Sequence, residues 1–174
     1  MKRIVFSGIF LLIVVAAFFS CKDENIYVKY RKEELRILEA FITEYYPDIK
    51  AKPSGLYFIE TQKGSGDTIK VGDKVHIFYS TWAIDDSASV IKKIFIEEST
   101  GYSLGWYYEP YEVIVGSGGS GIVGLEEGLT YMQLGAKANL VINSELAHGQ
   151  YGSGFIPGFT TLCMEVEVHK VFPY

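Results

Sequence analysis

Residues 111–129 read YEVIVGSGGSGIVGLEEGL, and the fold turns on what these glycines are for. Gly116, Gly118 and Gly121 give the spacing G-x-G-x-x-G, after an apolar run and before a helix-like one. In a dinucleotide-binding domain that spacing opens a helix within repeated strand–helix–strand units, and the helix receives a pyrophosphate. An acidic residue beyond the next strand, here Glu145, would fit the pattern. The helix is short, however, and Gly128 in its middle weakens it. No Gly-Lys-Ser or Gly-Lys-Thr follows, so a Walker loop is excluded too. The rest of the chain decides between a cofactor loop and a loop with another purpose.

On both sides of that stretch the pattern is antiparallel. Residues 55–66, GLYFIETQKGSG, alternate and end in a glycine-rich turn. In residues 70–84, KVGDKVHIFYSTWAI, a Gly-Asp turn precedes a strand with Val75, Ile77 and Tyr79 on one face and His76 and Phe78 on the other. Residues 110–118, 136–146 and 160–172 read as further strands. Residues 124–135, GLEEGLTYMQLG, predict a helix of about three turns with Leu125, Leu129 and Met132 on one side and Gly135 as its C-cap. Strands, one short helix and strands again make an α+β fold with an antiparallel sheet, without the crossovers of a parallel one.

The chain starts MKRIVFSGIFLLIVVAAFFSC. Lys2 and Arg3 precede an apolar run over residues 4–19, and residues 1–20 have the charge and length of a signal peptide. The run is short for a spanning helix. A small residue directly before Cys21 resembles a bacterial lipobox, with Phe18 where that pattern usually has Leu. The resemblance implies cleavage before Cys21, acylation of its thiol and amine, and a lipid anchor in a membrane. Residues 22–25, KDEN, resemble the export signal of some Bacteroidetes lipoproteins; solvated charge beside an anchor is the plainer reading. These features predict a bacterial outer-membrane lipoprotein, with the periplasmic and cell-surface faces both open.

Without Lys2 and Arg3 the 16 basic residues become 14 against 21 acidic ones, a net charge of −7. That argues against nucleic acid as a partner. An exported protein also has no steady supply of nicotinamide cofactor. Besides Cys21 the only cysteine is Cys163, so an acylated chain has no internal disulfide. Residues 26–46 place Leu35, Leu38, Ile42 and Tyr45 at helical spacing between charged residues, an amphipathic helix ending before Pro47. Its stripe needs a partner; self-association and docking onto the main domain are both open. Polar residues 48–54 read as a linker. The organisation is then a leader over 1–20, the lipidated cysteine, helix and linker over 21–54, and a main domain over 55–174.

Three stretches of the main domain share one resemblance. Residues 71–82, VGDKVHIFYSTW; residues 122–152, IVGLEEGLTYMQLGAKANLVINSELAHGQYG; and residues 154–168, GFIPGFTTLCMEVEV, resemble in order and spacing the motifs of FKBP-type peptidyl-prolyl isomerase domains. The resemblance covers about two thirds of the chain. It implies a bent antiparallel sheet of about five strands wrapped around one short helix, behind the N-terminal amphipathic helix. It makes the glycine stretch a substrate-side loop, with Gly118 and Gly121 letting the backbone approach a peptide. That loop carries one extra residue between Gly118 and Ile122 relative to the family.

The resemblance also implies the site. Tyr79, Ile122 and Ile156 match the family's pocket residues. Leu125 stands for the tryptophan floor, His148 for a tyrosine, and Met164 for a phenylalanine. Phe95 is the candidate for the Phe of the family's Phe-Asp pair, with Ile96 where the acid is expected. Rotation about an X-Pro bond needs no acid, base, metal or cofactor. A dry apolar pocket disfavours the charge-separated planar imide relative to its twisted state. The implied function is isomerisation of X-Pro bonds in exported polypeptides. Loss of the aromatic floor, worth about 1 kcal/mol or more, predicts weakened catalysis and poor binding of macrolide inhibitors. A non-catalytic peptide-binding module on the same fold is the alternative.

Other features carry less. His76, His148 and His169 lack metal-ligand spacing. Ser144, Glu145 and His148 are close in sequence, but no nucleophile elbow surrounds Ser144. Cys163 reads as a small buried strand residue. Tyr102, Trp106, Tyr107, Tyr108 and Tyr111 make an aromatic segment that either packs an enlarged loop or contacts a partner.

Overall fold

The structure is a computed structural model and describes residues 25–86, 90–99 and 109–174. In chain order the elements are α1 (Ile26–Tyr45), β1 (Tyr57–Gln62), β2 (Lys74–Asp85), β3 (Lys92–Glu98), β4 (Tyr111–Ile114), α2 (Val123–Leu129), β5 (Lys137–Ile142), a 3₁₀ turn (Ser144–Leu146) and β6 (Leu162–Phe172). The strands form one antiparallel sheet in the order β1-β5-β6-β2-β3, and β4 pairs with the first half of β2.

Alternation divides β2 between two layers. Val75, Ile77 and Tyr79 face the inner core with Leu140, Ile142, Met164 and Val166. Ile84 faces the back, with Val141 and Cys163. Two bulges interrupt the ladders. His169 is skipped between the pairs His76–Lys170 and Ile77–Val168. Ile96 is skipped between Thr81–Glu97 and Trp82–Phe95.

The inner layer closes on α2 through Leu125 and Leu129. Gly124 and Gly128 explain how near it lies. A Cβ at Gly124 would stand 2.5 Å from Ile142 Cγ2, and one at Gly128 2.6 Å from Leu140 Cδ1. The glycine that weakens the helix lets it touch β5. The helix is also shorter than its pattern predicts. After Leu129, the amides of Thr130, Tyr131 and Met132 bond three residues back, tightening the chain out of the α-helix. Gly135 then sits beyond the helix at φ +78°, with its amide bonded to Val168 O of the sheet rather than capping α2.

The back layer is covered by α1. Asn25 starts the helix, its side chain accepting from the Tyr27 amide at 3.0 Å. Of the two partners open to the apolar stripe, the chain's own sheet takes it: Leu38, Phe41 and Ile42 pack on Ile84, Val141 and Cys163. The buried face is rotated from the one the spacing predicts. Phe41 is 1% exposed, whereas Leu35 is 42% and Tyr45 48% exposed. The residue one turn before Leu38 on the buried face is Glu34, which finds polar partners there. Residues 48–54 are a hydrogen-bonded turn in which Lys52 lies 4.3 Å from the centre of the Tyr131 ring.

Candidate functional site

Tyr79 stands on the inner face of β2, half-buried against the main core. Ser99 fixes its backbone: the Tyr79 amide donates to Ser99 Oγ at 3.1 Å, and the Ser99 amide donates to Tyr79 O at 2.9 Å. Its ring meets Tyr111 edge-on at 5.6 Å. Its hydroxyl donates to Glu97 Oε1 at 3.4 Å. Burial, reinforced by the Glu97 carboxylate and Tyr111, pushes the phenol up to about 12. A cleft of about 250 Å³ opens beside it, lined by Ser99, Glu109, Pro110 and Tyr111 among others.

Glu97 changes the reading of β3. In an unbroken ladder Ile96 would oppose Thr81 on Tyr79's face. The bulge skips Ile96 and brings Glu97 there. The acid at Tyr79 is therefore present, one residue later than expected. Phe95 pairs with Trp82 on the opposite face, their rings 6.1 Å apart, and is itself exposed. It lies within a strand rather than a substrate loop, and the structure does not bring it to Tyr79.

Ile122 precedes α2 in an extended conformation with no side-chain cap. It shares the main core with Leu125 and Met164, and Ile156 packs against that core. Five of the residues singled out from the sequence thus belong to the inner core or pack against it. Leu125 is 2% and Met164 1% exposed, so both are closed off from solvent, whereas Tyr79 and Ile156 are half-buried. His148 lies half-buried in the loop after the 3₁₀ turn, beside Ala147 of the same cluster.

The glycine loop has its own anion. Glu126, in the first turn of α2, is buried and turns back to the loop. It accepts from the Gly118 amide at 3.0 Å, the Ser120 amide at 3.1 Å and Ser120 Oγ at 2.7 Å. Burial would raise its pKa. The Ser120 hydroxyl and the amides of Gly118, Ser120 and Gly116 outweigh that and hold the carboxyl below the usual range. The amides a pyrophosphate would need are engaged by the protein's own carboxylate, which rules out the nucleotide reading on geometry. Gly116, Gly118 and Gly121 all have φ between +71° and +81°, which allows this wrap.

The remaining candidates have ordinary roles. Ser144 Oγ donates to Glu34 Oε2 at 2.7 Å and is buried. His76 pairs with Glu112 at 3.2 Å, and His169, at a bulge, lies 5.0 Å from the Phe78 ring. Among the described residues no group of His, Cys, Asp and Glu could hold a metal, and no helix is long and apolar enough to cross a membrane. Cys21, Tyr102, Trp106, Tyr107 and Tyr108 lie outside the described residues. Glu97, Ser99 and Glu126 were not singled out from the sequence. The acidic pair ahead of Ser99 was the one available signal for the first.

A small antiparallel cup closed by one helix, with a half-buried tyrosine on its inner face, defines a class of α+β domain. The comparisons with known proteins give that class its family. A family model described as FKBP-type peptidyl-prolyl cis-trans isomerase matches residues 66–169, and the protein belongs to that family. FK506-binding protein 1 from Aspergillus oryzae is 35% identical over 109 residues, 63% of this chain and 91% of its own. The FKBP-type 22 kDa peptidyl-prolyl cis-trans isomerase of Escherichia coli is 32% identical over 125 residues; the match spans 71% of this chain and about half, 53%, of that relative. Among solved structures, FkpA from Escherichia coli is similar over 99% of this chain and 73% of its own, with a TM-score of 0.66 and 26% identity. A peptidyl-prolyl cis-trans isomerase from Pseudomonas syringae gives a TM-score of 0.65 at 25% identity, over 86% of this chain and 98% of its own.

Proposed function

We propose that this protein isomerises X-Pro bonds of polypeptides outside the cytoplasm, from a lipid anchor at Cys21 on the bacterial outer membrane, and does so weakly. The observation that carries the isomerase reading is the arrangement at Tyr79. Its protonated hydroxyl donates to Glu97, and its side chain packs against the apolar core that includes Ile122 and against which Ile156 also packs. Such a site binds a pyrrolidine ring, orients the neighbouring carbonyl and keeps water from the imide, which favours the twisted state over the planar one. No group need exchange a proton with the substrate. The closed floor at Leu125 and Met164 supports the weakness: a ring gains less burial there than on an open aromatic wall. That same closed floor favours a second reading, a binding module that holds X-Pro segments without turning them over.

The test is proline-limited refolding with the full chain in detergent, beside a Tyr79→Ala, Ile122→Ala double variant. Acceleration by the parent alone supports isomerisation at this site. A folded parent that gives none at high concentration moves the reading to the binding module. For the anchor, labelled fatty acid should enter the parent in bacterial membranes and not Cys21→Ala.

A further inference from the structure

We infer that α1 is a positioning element for the substrate side of the cup, and that Glu34 acts through the loop between β5 and β6; this rests on the isomerase reading. Glu34 is buried, 3% exposed, in the middle of a helix on the far side of the sheet from the site. Its carboxylate accepts from four donors. Oε1 takes the Ser144 amide at 2.5 Å and Thr161 Oγ1 at 3.2 Å. Oε2 takes Ser144 Oγ at 2.7 Å and Arg31 Nη1 at 2.6 Å. Ser144 and Thr161 are the two ends of the loop that carries His148 and Ile156. One side chain of α1 thus closes both ends.

A second set of contacts grips the same loop. Arg31 Nη2 donates to Glu145 Oε2 at 2.7 Å, and the Tyr27 hydroxyl to Glu145 Oε1 at 3.0 Å. Phe159 is stacked on Tyr30 at 5.8 Å and meets Tyr27 edge-on at 5.3 Å. Among the described residues Phe159 is the one non-glycine residue with positive φ, at 59°. A phenylalanine stays in that region only where its surroundings hold it. Here the surroundings are α1 and the Phe159 amide's bond to Gly149 O at 3.0 Å. From Gly149 the chain runs directly to His148, and the Ser153–Ile156 pairing sets Ile156. An apolar contact alone would have docked the helix. A buried carboxylate with all its donors in place fixes geometry, because a misplaced loop leaves the charge unsatisfied.

The test compares Glu34→Ala, Glu34→Gln and Leu38→Ala in the full chain. Leu38 is an apolar anchor of the same helix, clustered with Ile84, Val141 and Cys163 of the sheet. Glu34→Ala should raise KM for an Xaa-Pro peptide about tenfold with kcat within about twofold. Amide exchange at Gly149, Ser153 and Phe159 should speed up while β5 and β6 stay protected. Glu34→Gln, which keeps an acceptor for the Ser144 amide, should restore most of both. Leu38→Ala should lower stability and leave KM at the parent value. An unchanged KM or unchanged loop exchange in folded Glu34→Ala overturns the inference, as does an equal KM effect from Leu38→Ala. If Glu34→Ala does not fold, Ser144→Ala is read by the same two measures, and no change in either overturns it. A parent that turns over no peptide removes the isomerase reading instead. The inference then stands or falls on loop exchange and on the dissociation constant of the same peptide.

Discussion

Glu126 and Glu34 are both buried carboxylates, and each holds a loop of the same domain by hydrogen bonds. Glu126 draws its loop donors from Gly118 and Ser120, eight and six residues away, within one turn of chain. Glu34 draws on Ser144 and Thr161, 110 and 127 residues away along the chain, through direct hydrogen bonds from α1 to the ends of the β5–β6 loop. The glycine loop therefore carries its own organiser, while the β5–β6 loop borrows one from α1. The two loops are held by the same chemistry with different dependence on the rest of the fold.

The largest effect should come from breaking the long-range member. Glu34→Ala leaves Arg31 and the Ser144 amide without their buried acceptor and should lower the unfolding free energy by about 3 kcal/mol, read from urea denaturation. A loss no larger than that of Glu126→Ala would erase the contrast. Glu126→Ala removes a local acceptor and should cost about 2 kcal/mol. Its part is pH-dependent with a definite sign. The folded pKa lies below the unfolded one, so the stabilisation is complete above the unfolded value and is lost as pH falls through the folded value. The stability gap between parent and Glu126→Gln should close below about pH 4; a gap that widens in acid would contradict the assignment.

Smaller effects test the cup itself. Tyr79→Phe should lower kcat/KM about threefold, the worth of one modest hydrogen bond. Because burial holds the Tyr79 hydroxyl protonated up to about 12, the ratio of parent to variant should stay flat from about pH 6 to about pH 9. A ratio that bends in that window would show another titrating group at work. Thr81→Val should be the mildest change. Thr81 Oγ1 is buried beside Glu97 and Met164 in the ladders and has no hydrogen-bond partner among the described residues. An isosteric methyl there should stabilise by up to about 1 kcal/mol, measured as a shift in Tm.

The inner layer was legible because its order is periodic. Val75, Ile77 and Tyr79 alternate, and strand patterns flank one short helical run, so the antiparallel cup follows from the residues in order. The candidate site residues come from the family resemblance and not from periodicity: Tyr79, Ile122, Leu125 and Met164 lie in or beside regular elements of the inner core, whereas Ile156 lies in the loop before β6. What escaped has no periodic signature. A bulge moves Glu97 onto Tyr79's face by skipping a single residue, and nothing in KKIFIEES marks where the skip falls. The end of α2 at Leu129 depends on tight turns that follow Leu129. Glu34 looks like any acid on a charged helix until a turn 110 residues away supplies its donors. Glu34 lies on the face of α1 that buries Phe41 and leaves Leu35 exposed.

Cys163 lies at the centre of the back layer, beneath Leu38, Phe41 and Ile42 of α1. Burial pushes its thiol up to about 11, so at neutral pH it is both covered and protonated. The covering is the helix. Whenever α1 lifts from the sheet this sulfur becomes accessible, and an alkylating reagent can record the event irreversibly. The fold thus holds a chemical clock for its own docking step: the alkylation rate of one native atom counts how often α1 lets go of the sheet, with no label added to the chain.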